Sequence, residues 1–182
     1  MRVFDFDKTI YDGDSTVDFY KFCIKKYPQC LKRITPALLP GLLLLAKRYD
    51  KTKFKQKFYR FLLDIPDIDE TVKEFWDLNI SKIKPFYLPQ KDDVIISASP
   101  KFLLAEACRR LKIVHLLASE VNKKTGVYTG VNCYGEEKVK RLNGYMKDYV
   151  IDEFYSDSYS DSPLANLAKK AFLVRENKIL PW

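Results

Sequence analysis

Apolar residues along the chain form short runs that alternate with longer amphipathic segments. Four runs have the length and the flanking turn residues of buried β-strands: residues 2–4, 94–96, 150–155 and 171–174. Six other segments are predicted to be helices: residues 15–26, 53–63, 70–83, 101–112, the stretch that begins at residue 136, and 164–170. Strands that alternate with helices are typical of an α/β domain with a mostly parallel sheet.

The predicted helices before residue 91 follow one another without a strand between them. Pro28, Pro36 and Pro40 interrupt this block but do not end it. We therefore predict a core assembled from residues 1–14 and 91–182 and an all-helical insert at residues 15–90. The predicted fold class is α/β, with a three-layer Rossmann-like core and a mostly parallel sheet.

The first predicted strand ends at a pair of carboxylates. Asp5 and Asp7 follow two apolar residues, at the end of the strand where open α/β sheets bind their ligands. Carboxylates two residues apart suit a nucleophile and a proton-transfer group that flank one reacting phosphorus atom. An acidic turn without a function is the alternative interpretation, and this motif alone does not exclude it.

Hydroxyl and ammonium groups follow at two later strand or helix ends. Ser97 ends the second predicted strand, where a hydroxyl and the free N–H groups of a helix start bind phosphate. Alternatively, Ser99 simply caps the next helix. Lys138 lies near a helix start, where the helix dipole disfavours a cation. It suits the binding of a transferring phosphate, although a solvated lysine is the simpler interpretation.

Two more carboxylates follow the third predicted strand. Asp157 would lie at the strand end, and Asp161 lies one helical turn later, where it could also cap a helix before Pro163. Four carboxylates at one sheet edge repel one another unless a cation and Lys138 neutralise them. Oxygen ligands favour a hard ion, and Mg²⁺ is the usual one beside phosphate.

Taken in order, these motifs resemble the four motifs of the haloacid dehalogenase superfamily of phosphatases. They are Asp5-Phe6-Asp7-Lys8-Thr9, Ser97-Ala98-Ser99, Lys138 and Ser156-Asp157-Ser158-Tyr159-Ser160-Asp161. Each motif is short, but the ordered set spans nearly the whole chain. The resemblance implies a Mg²⁺-dependent hydrolase of phosphomonoesters that acts through an aspartyl-phosphate intermediate.

The resemblance also implies a role for each matched acid. Asp5 would attack phosphorus, and Asp7 would protonate the leaving group and then activate water. The metal ligands would be the Asp5 carboxylate, the Asp7 carbonyl and the Asp157 carboxylate. Asp161 would support the site through Lys138 or a metal-bound water.

For the phosphate, the resemblance implies a binding set that comprises Ser97, the Ala98 N–H and Lys138. Thr9 is counted with this set because it would support the nucleophile loop. The helical insert resembles the cap domain of the phosphoserine-phosphatase-like branch. Asp14 falls where those enzymes carry a Glu that contacts the substrate amino group, but they usually have Gly where this chain has Ala98.

Within this branch, the chain also resembles bacterial phosphatidylglycerophosphate phosphatases. The shared features are an apolar, Pro-interrupted cap segment, a Ser-Pro after the second motif and a Tyr-Ser-Asp-Ser sequence in the fourth. The expected partner is therefore a lipid phosphate or a phosphorylated small molecule. Phosphoserine-like hydrolysis and phosphotransfer to an acceptor other than water stay open. A catalytically idle binding module is disfavoured, because the expected catalytic positions are all occupied.

Charge is concentrated in the helical insert. The chain carries a formal net charge of +8, and residues 21–60 contain twelve basic side chains and one acid. Residues 37–46 form an uncharged, leucine-rich run of ten residues, whereas a membrane span needs about 20. Residues 32–48 could instead contact an anionic membrane surface, and a buried cap helix is the alternative. No nucleic-acid-binding motif accompanies the charge, so no nucleic-acid partner is expected.

The cysteines and the single histidine are predicted to be structural. Cys23, Cys30, Cys108 and Cys133 have no CxxC spacing and lie in apolar or helical surroundings. They are expected to be reduced packing residues of a cytoplasmic protein, which could also contact the inner face of the membrane. His115 is expected to be a half-buried strand residue. The chain begins directly with the first strand, and no signal peptide is expected.

Overall fold

The computed structural model describes residues 1–33 and 51–182. The leucine-rich run at residues 37–46 and most of the predicted membrane-contact segment at residues 32–48 lie outside the described residues. In the described part, no helix is long and apolar enough to cross a membrane.

A six-stranded sheet forms the centre of the molecule, with the strand order β3-β2-β1-β4-β5-β6. The strands are β1 (Arg2–Phe4), β2 (Val94–Pro100), β3 (His115–Ser119), β4 (Ile151–Ser156), β5 (Ala168–Arg175) and β6 (Lys178–Pro181). The first five strands pair in parallel, and β6 pairs with β5 in the antiparallel direction. The short β1 lies between β2 and β4, so its carboxyl end is at the middle of the sheet edge.

Six α-helices occur in the described residues. They are α1 (Ser15–Lys26), α2 (Lys51–Phe58), α3 (Ile68–Asn79), α4 (Lys101–Arg110), α5 (Glu136–Tyr145) and α6 (Ser162–Ala165). Short 3₁₀ helices cover Tyr59–Asp64, Ile80–Lys82 and Tyr159–Asp161. Asp14 and Asp67 are the N-caps of α1 and α3, and each accepts a backbone N–H.

The sheet separates two apolar clusters, because successive side chains of a strand point to opposite faces. On one face, Phe4 and Ile95 pack with side chains of α1, α3 and α4. The buried Trp76 of α3 donates from its indole Nε1 to the Leu103 carbonyl of α4 at 2.8 Å. On the other face, Val3 packs with side chains of α5 and α6. This arrangement gives three layers and confirms the predicted fold class.

The predicted helix at residues 164–170 is wrong. The α6 helix ends at Ala165, and β5 already begins at Ala168. Ala and Leu favour helices, but β5 has a partner strand in β4, with Ile151 opposite Ala168. Pairing with a neighbouring strand outweighs this local preference. The chain then turns at Glu176 and continues as β6, where the sequence predicts only a short apolar tail.

Two smaller features also differ from the predicted pattern or refine it. The predicted hairpin between residues 118 and 133 contains one antiparallel bridge, between Val121 and Tyr128, rather than two full strands. His115 is half-buried at the start of β3, as predicted, and its Nδ1 lies 3.1 Å from the Tyr145 hydroxyl. The four cysteines are free and buried, as predicted.

The predicted helical insert is partly visible. Residues 15–33 and 51–90 contain three α-helices and no named β-strand. Helices α1 and α3 contribute to the same apolar cluster as Phe4 of the sheet. The domain boundaries at residues 14 and 91 stay predictions.

Candidate active site

The loop that follows β1 holds the first two candidate catalytic residues at the sheet edge. The N–H of Asp5 donates to the Tyr155 carbonyl of β4 at 2.9 Å, which continues the pairing of β1 for one residue. Two N–H groups, from Ile10 and Tyr11, then donate to the carbonyl of Phe6. Lys8 has a φ of 59°, a left-handed conformation that reverses the chain. The loop is therefore fixed by its own backbone contacts.

Asp5 and Lys138 form a buried ion pair. The Lys138 ammonium lies 2.9 Å from Asp5 Oδ1 and 2.7 Å from Asp161 Oδ2. All three residues are less than one-tenth exposed. Helix α5 places Lys138 in its first turn, so the helix start carries the cation directly over the end of β1. The alternative interpretation, a solvated Lys138, is therefore excluded.

Asp7 accepts hydrogen bonds from two different elements. Its Oδ1 accepts the backbone N–H of Ser15 at 2.7 Å, and its Oδ2 accepts the hydroxyl of Ser99. The alternative that Ser99 caps α4 is wrong, because Pro100 is the N-cap and no side-chain cap bond occurs there. Ser99 instead orients Asp7, and Thr16 lies 3.1 Å from the Ser99 hydroxyl oxygen.

A cavity of about 390 Å³ opens at this sheet edge. It is lined by eight of the nine predicted site residues: Asp5, Asp7, Asp14, Ser97, Ala98, Lys138, Asp157 and Asp161. Ser97 is almost fully buried, and its hydroxyl oxygen accepts the N–H of Ser99 at 3.1 Å. The predicted motifs therefore meet around one space, although they are far apart in the sequence.

Thr9 is the exception to this convergence. Its side chain is fully buried and does not line the cavity. Within the described residues, its hydroxyl has no hydrogen-bond partner. The structure therefore does not place Thr9 on the phosphate site, and its position beneath the loop fits only the predicted supporting role.

Asp14 lines the cavity, but it also has a structural task. One of its side-chain oxygens accepts the Val17 N–H at 3.0 Å and thereby caps α1. Ser15 is the first residue of the helix.

Burial raises the pKa of the two nucleophile-loop acids. Burial is the largest effect on Asp5 and raises its pKa to about 7, against the opposing effect of the Lys138 ammonium. Burial, followed by the charge of Asp14, raises the pKa of Asp7 to about 6, although the bonds from Ser15 and Ser99 oppose this rise. Both acids can therefore change protonation near neutral pH.

Burial and neighbouring charges also shift the pKa values of Lys138 and Asp157. Burial lowers the pKa of Lys138, but the Asp5 and Asp161 carboxylates outweigh that effect, so the pKa lies above its ordinary value. Burial is also the largest effect on Asp157 and raises its pKa. Lys138 is thus a permanent cation at neutral pH, whereas the surrounding acids exceed it in number.

The donor set fits a hard divalent cation such as Mg²⁺. Asp5 and Asp157 line the same cavity and supply carboxylate oxygens. Asp161 Oδ1 is buried and has no hydrogen-bond partner within the described residues, which leaves one more oxygen for a cation or its water. No group of three or more His, Cys, Asp or Glu side chains that could hold a metal occurs in that part of the chain. A set of two carboxylates and the Asp7 carbonyl is consistent with that finding.

Several cavity residues were missed by the sequence analysis. They include the polar residues Lys8, Thr16, Lys55 and Asn132. Lys55 was counted as one of twelve basic residues in the insert, and nothing in the charge pattern distinguishes it from the others. Its Nζ donates to the Ala98 carbonyl at 3.1 Å. At the Ser97–Pro100 end of β2, the sequence suggested only a helix cap for Ser99.

Comparison with known proteins agrees with this geometry. The family model of haloacid dehalogenase-like hydrolases matches residues 3–166. A search of curated proteins found no match.

Several solved structures share the fold. A protein with unknown function from Bordetella pertussis Tohama I has 18% sequence identity and a TM-score of 0.75, over 94% of this chain and 87% of that one. A phosphoserine phosphohydrolase-like protein from Francisella tularensis has 16% identity and a TM-score of 0.61, over 94% and 86% of the two chains. A probable phosphoserine phosphatase from Vibrio cholerae has 13% identity and a TM-score of 0.68, over 93% of this chain and 54% of that one. The matched family model, which spans most of the chain, establishes that this protein belongs to the haloacid dehalogenase-like hydrolases.

Proposed function

We propose that this protein hydrolyses phosphomonoesters with the help of Mg²⁺, through a phosphoryl group transferred to Asp5. The observation that carries the proposal is the arrangement of two carboxylates in one cavity. Asp5 is paired with the Lys138 ammonium, and Asp7 is held by the Ser99 hydroxyl. The Lys138 ammonium favours the ionised form of Asp5, and the pKa of Asp7, about 6, is suited to proton transfer near neutral pH.

In the first step, Asp5 attacks phosphorus. Among the described residues, the donor to the Asp5 side chain is Lys138, which binds Oδ1 and leaves Oδ2 for attack. A bond forms between Asp5 and phosphorus while the bond from phosphorus to the leaving oxygen breaks. Protonated Asp7 gives its proton to that oxygen, so the leaving group departs as an alcohol.

In the second step, water releases the phosphate. Asp7, now ionised, takes a proton from the water that attacks phosphorus, and the bond between phosphorus and Asp5 breaks. Inorganic phosphate leaves, and both acids return to their starting states. Ser15 and Ser99 keep Asp7 in one orientation through both proton transfers.

Binding of the phosphoryl oxygens is assigned to Ser97, the Ala98 N–H and Lys138. Ser97 and Lys138 reach the cavity from different elements, β2 and α5. Mg²⁺ would be held by Asp5, Asp157 and the Asp7 carbonyl, and it would offset negative charge on the phosphoryl oxygens. Asp161 fixes Lys138 between itself and Asp5.

We extend the proposal to a lipid phosphate such as phosphatidylglycerophosphate, in a cytoplasmic protein. Val17, Phe58 and Tyr134 line the cavity beside the catalytic acids and offer apolar contact to the substrate. A water-soluble phosphomonoester such as phosphoserine is the alternative substrate. Phosphotransfer to another acceptor would use the same Asp5 chemistry.

The experiment is phosphate release from a panel of substrates. It contains phosphatidylglycerophosphate in micelles, phosphoserine, and common sugar and nucleotide monophosphates, each with Mg²⁺ and with a chelator. We expect release that requires Mg²⁺ and is lost in Asp5→Asn and Asp157→Asn. Release in excess chelator, or full activity of Asp5→Asn, would contradict the proposal. Preference for phosphoserine over the lipid would reject the lipid substrate alone, and an added alcohol acceptor would reveal phosphotransfer.

Membrane contact through residues 32–48 is a further part of this proposal. The basic and leucine-rich composition of that segment supports it. In a flotation assay, the intact protein is expected to float with anionic vesicles. A Leu42/Leu43/Leu44→Ser variant is expected not to float with them. No flotation of the intact protein would reject membrane contact.

A further inference from the structure

Helix α2 and the start of the 3₁₀ segment that follows it present one face to the active-site cavity. Lys55, Phe58 and Tyr59 all line the cavity. Their spacing of three and four residues places them on the same side of a helix. Lys55 thus reaches the site from the predicted helical insert rather than from the sheet.

Lys55 is held at the phosphate-binding end of β2 by a single contact. Its Nζ donates to the Ala98 carbonyl at 3.1 Å, and the Ser119 hydroxyl donates to the same carbonyl at 3.0 Å. Because these two donors meet one oxygen, the ammonium lies directly beside the end of β2 that follows Ser97. An ammonium has three N–H donors, and because Lys55 lines the cavity, the other two can serve a ligand there.

Lys55 has no carboxylate partner of its own in the described part of the chain. No ion pair within 4.0 Å forms between Lys55 and a described acid, whereas Lys138 has two such partners. The lysine is half-buried, and a half-buried cation without a paired anion is costly unless a ligand supplies the anion.

Lys55 lies close to the acid that is proposed to protonate the leaving group. Its partner Ala98 directly precedes Ser99, whose hydroxyl donates to Asp7. Burial is the largest effect on the pKa of Lys55 and lowers it, and the nearby carboxylates of Asp14, Asp7 and Asp5 oppose this effect. Lys55 thus reaches the side of the cavity where Asp7 would meet the leaving group.

We propose that Lys55 determines specificity by binding a second anionic group, carried by the leaving group of the phosphomonoester. This inference rests on the proposed function. The transferred phosphoryl group already has Lys138 beside Asp5, so Lys55 is available for a different anion. A carboxylate and a phosphodiester share the required chemistry. Phe58, one helical turn away, would contact the carbon atoms that join the two anions.

The test compares substrates that differ in the second anion. Glycerol 3-phosphate carries only the phosphomonoester, 3-phosphoglycerate adds a carboxylate, and glycerophosphoglycerol phosphate adds a phosphodiester. The measured quantity is the ratio of kcat/KM for each doubly anionic substrate to kcat/KM for glycerol 3-phosphate. This ratio does not depend on the folded fraction of a variant.

We expect Lys55→Met and Lys55→Gln to lower the ratio by about 10- to 100-fold, as expected for loss of a hydrogen bond between charged groups. Lys55→Arg is expected to restore most of it, because it keeps the charge. The matched control is Lys140→Met, which removes an exposed lysine outside the cavity and should leave the ratio unchanged. The substrate with the larger loss identifies the anion that Lys55 binds.

Two results would overturn the inference in distinguishable ways. An unchanged ratio in Lys55→Met and Lys55→Gln, with an active wild-type protein, would reject the role of Lys55 alone. A wild-type protein that releases no phosphate from any of the three substrates with Mg²⁺, nor from the wider panel above, would reject the proposed function as well.

Discussion

At the scale of single residues, the active site is dominated by competition between burial and pairing. Asp5 and Asp161 would be costly if they were buried alone, and Lys138 offsets that cost by contacting both. Asp7 has no cationic partner at ion-pair distance in the described residues, and hydrogen bonds from Ser15 and Ser99 stabilise its charge instead. The pKa of Asp7 therefore depends on neutral donors that mutations can remove singly.

Replacement of Ser99 by Ala is predicted to raise the pKa of Asp7. The Ser99 hydroxyl donates to the ionised carboxylate and so lowers its pKa from the value that burial alone would set. Asp7 must be protonated for the first step, so kcat/KM falls as the pH rises through this pKa. In Ser99→Ala with Mg²⁺ present, we expect that fall to occur about one pH unit higher.

The pH profile of Thr16→Val provides the control for this prediction. Thr16 contacts the Ser99 hydroxyl but has no hydrogen bond to Asp7. Thr16→Val should therefore shift the fall of kcat/KM at high pH by less than Ser99→Ala does. If kcat/KM of Ser99→Ala fell at the same pH as in the wild type, or at a lower pH, Ser99 would not lower the pKa of Asp7.

At the scale of elements, a short segment near residue 83 clamps the nucleophile loop. The N–H of Asp12 donates to the Lys82 carbonyl, and the N–H of Lys84 donates to the Ile10 carbonyl, each at 2.8 Å. The Lys84 ammonium is almost fully buried and donates to the Lys8 carbonyl at 2.6 Å and to the Glu176 carbonyl at 2.5 Å. One side chain thus joins the nucleophile loop to the turn between β5 and β6.

Replacement of Lys84 by Met is predicted to destabilise the protein. Two buried carbonyls would lose their donor, and a buried acceptor without a partner is unfavourable, so we expect a loss of about 2 kcal/mol or more in the free energy of unfolding. Urea denaturation measures this loss. We also expect kcat to fall, because the Lys8 carbonyl would lose its contact with Lys84 and the left-handed turn of the nucleophile loop would be less well fixed.

The matched variant for Lys84 is Lys82→Met. Lys82 pairs with Asp18 at 3.0 Å and is partly exposed, and such pairs contribute about 1 kcal/mol or less. If both variants lost equal stability, the contacts of Lys84 with the two carbonyls would not be the reason for its burial.

The predicted and observed strands differ where the local sequence pattern does not determine the structure. The strands that begin at residues 2, 94 and 151 were visible as apolar runs, because strands buried on both faces contain few polar positions. Residues 171–174 of β5 were predicted to be a strand, but its first residues were not, because Ala168 and Lys170 have no strand preference of their own. Only the pairing with β4 makes that segment extended.

The same distinction holds for the site. The acids Asp5, Asp7 and Asp157 were predicted because they follow strand ends, where the parallel topology brings them together. The contact of Ser99 with Asp7 and the reach of Lys55 to Ala98 depend on the packing of α1 and α2 over the sheet edge. Neither contact follows from the spacing of residues along the chain.

At the scale of the whole molecule, two apolar clusters support an acidic cavity in a basic protein. The chain carries a formal net charge of +8, but acids outnumber lysines in the cavity lining. The raised pKa values of Asp5 and Asp7 mean that the folded state binds protons more tightly than the unfolded state does. The site therefore opposes folding as the pH rises.

The pH dependence of stability is predicted to differ between the wild-type protein and Asp5→Asn. The pKa of Asp5 is raised from 3.8 to about 7, so the contribution of this group to stability is present below its unfolded value and is lost as the pH rises towards 7. Without metal, we expect Asp5→Asn to gain on the order of 2 kcal/mol relative to wild type between pH 4 and pH 8.

Chemical denaturation at several pH values, with chelator and with Mg²⁺, measures this difference. Mg²⁺ is expected to stabilise the wild-type protein more at pH 8 than at pH 5, because protons and the cation compete for the same carboxylates. The variant Asp157→Asn should lack most of that stabilisation. A difference between wild type and Asp5→Asn that is constant across this pH range would contradict the raised pKa of Asp5.

The central claim is that Asp5 carries the phosphoryl group during turnover. The most direct measurement is a brief reaction of the wild-type protein with a phosphomonoester and Mg²⁺, followed by acid quenching, borohydride reduction and peptide mass spectrometry. Reduction converts a phosphorylated aspartate to homoserine, and we therefore predict homoserine at position 5. Homoserine in place of another aspartate would contradict this claim. Release of phosphate without any homoserine would contradict it as well.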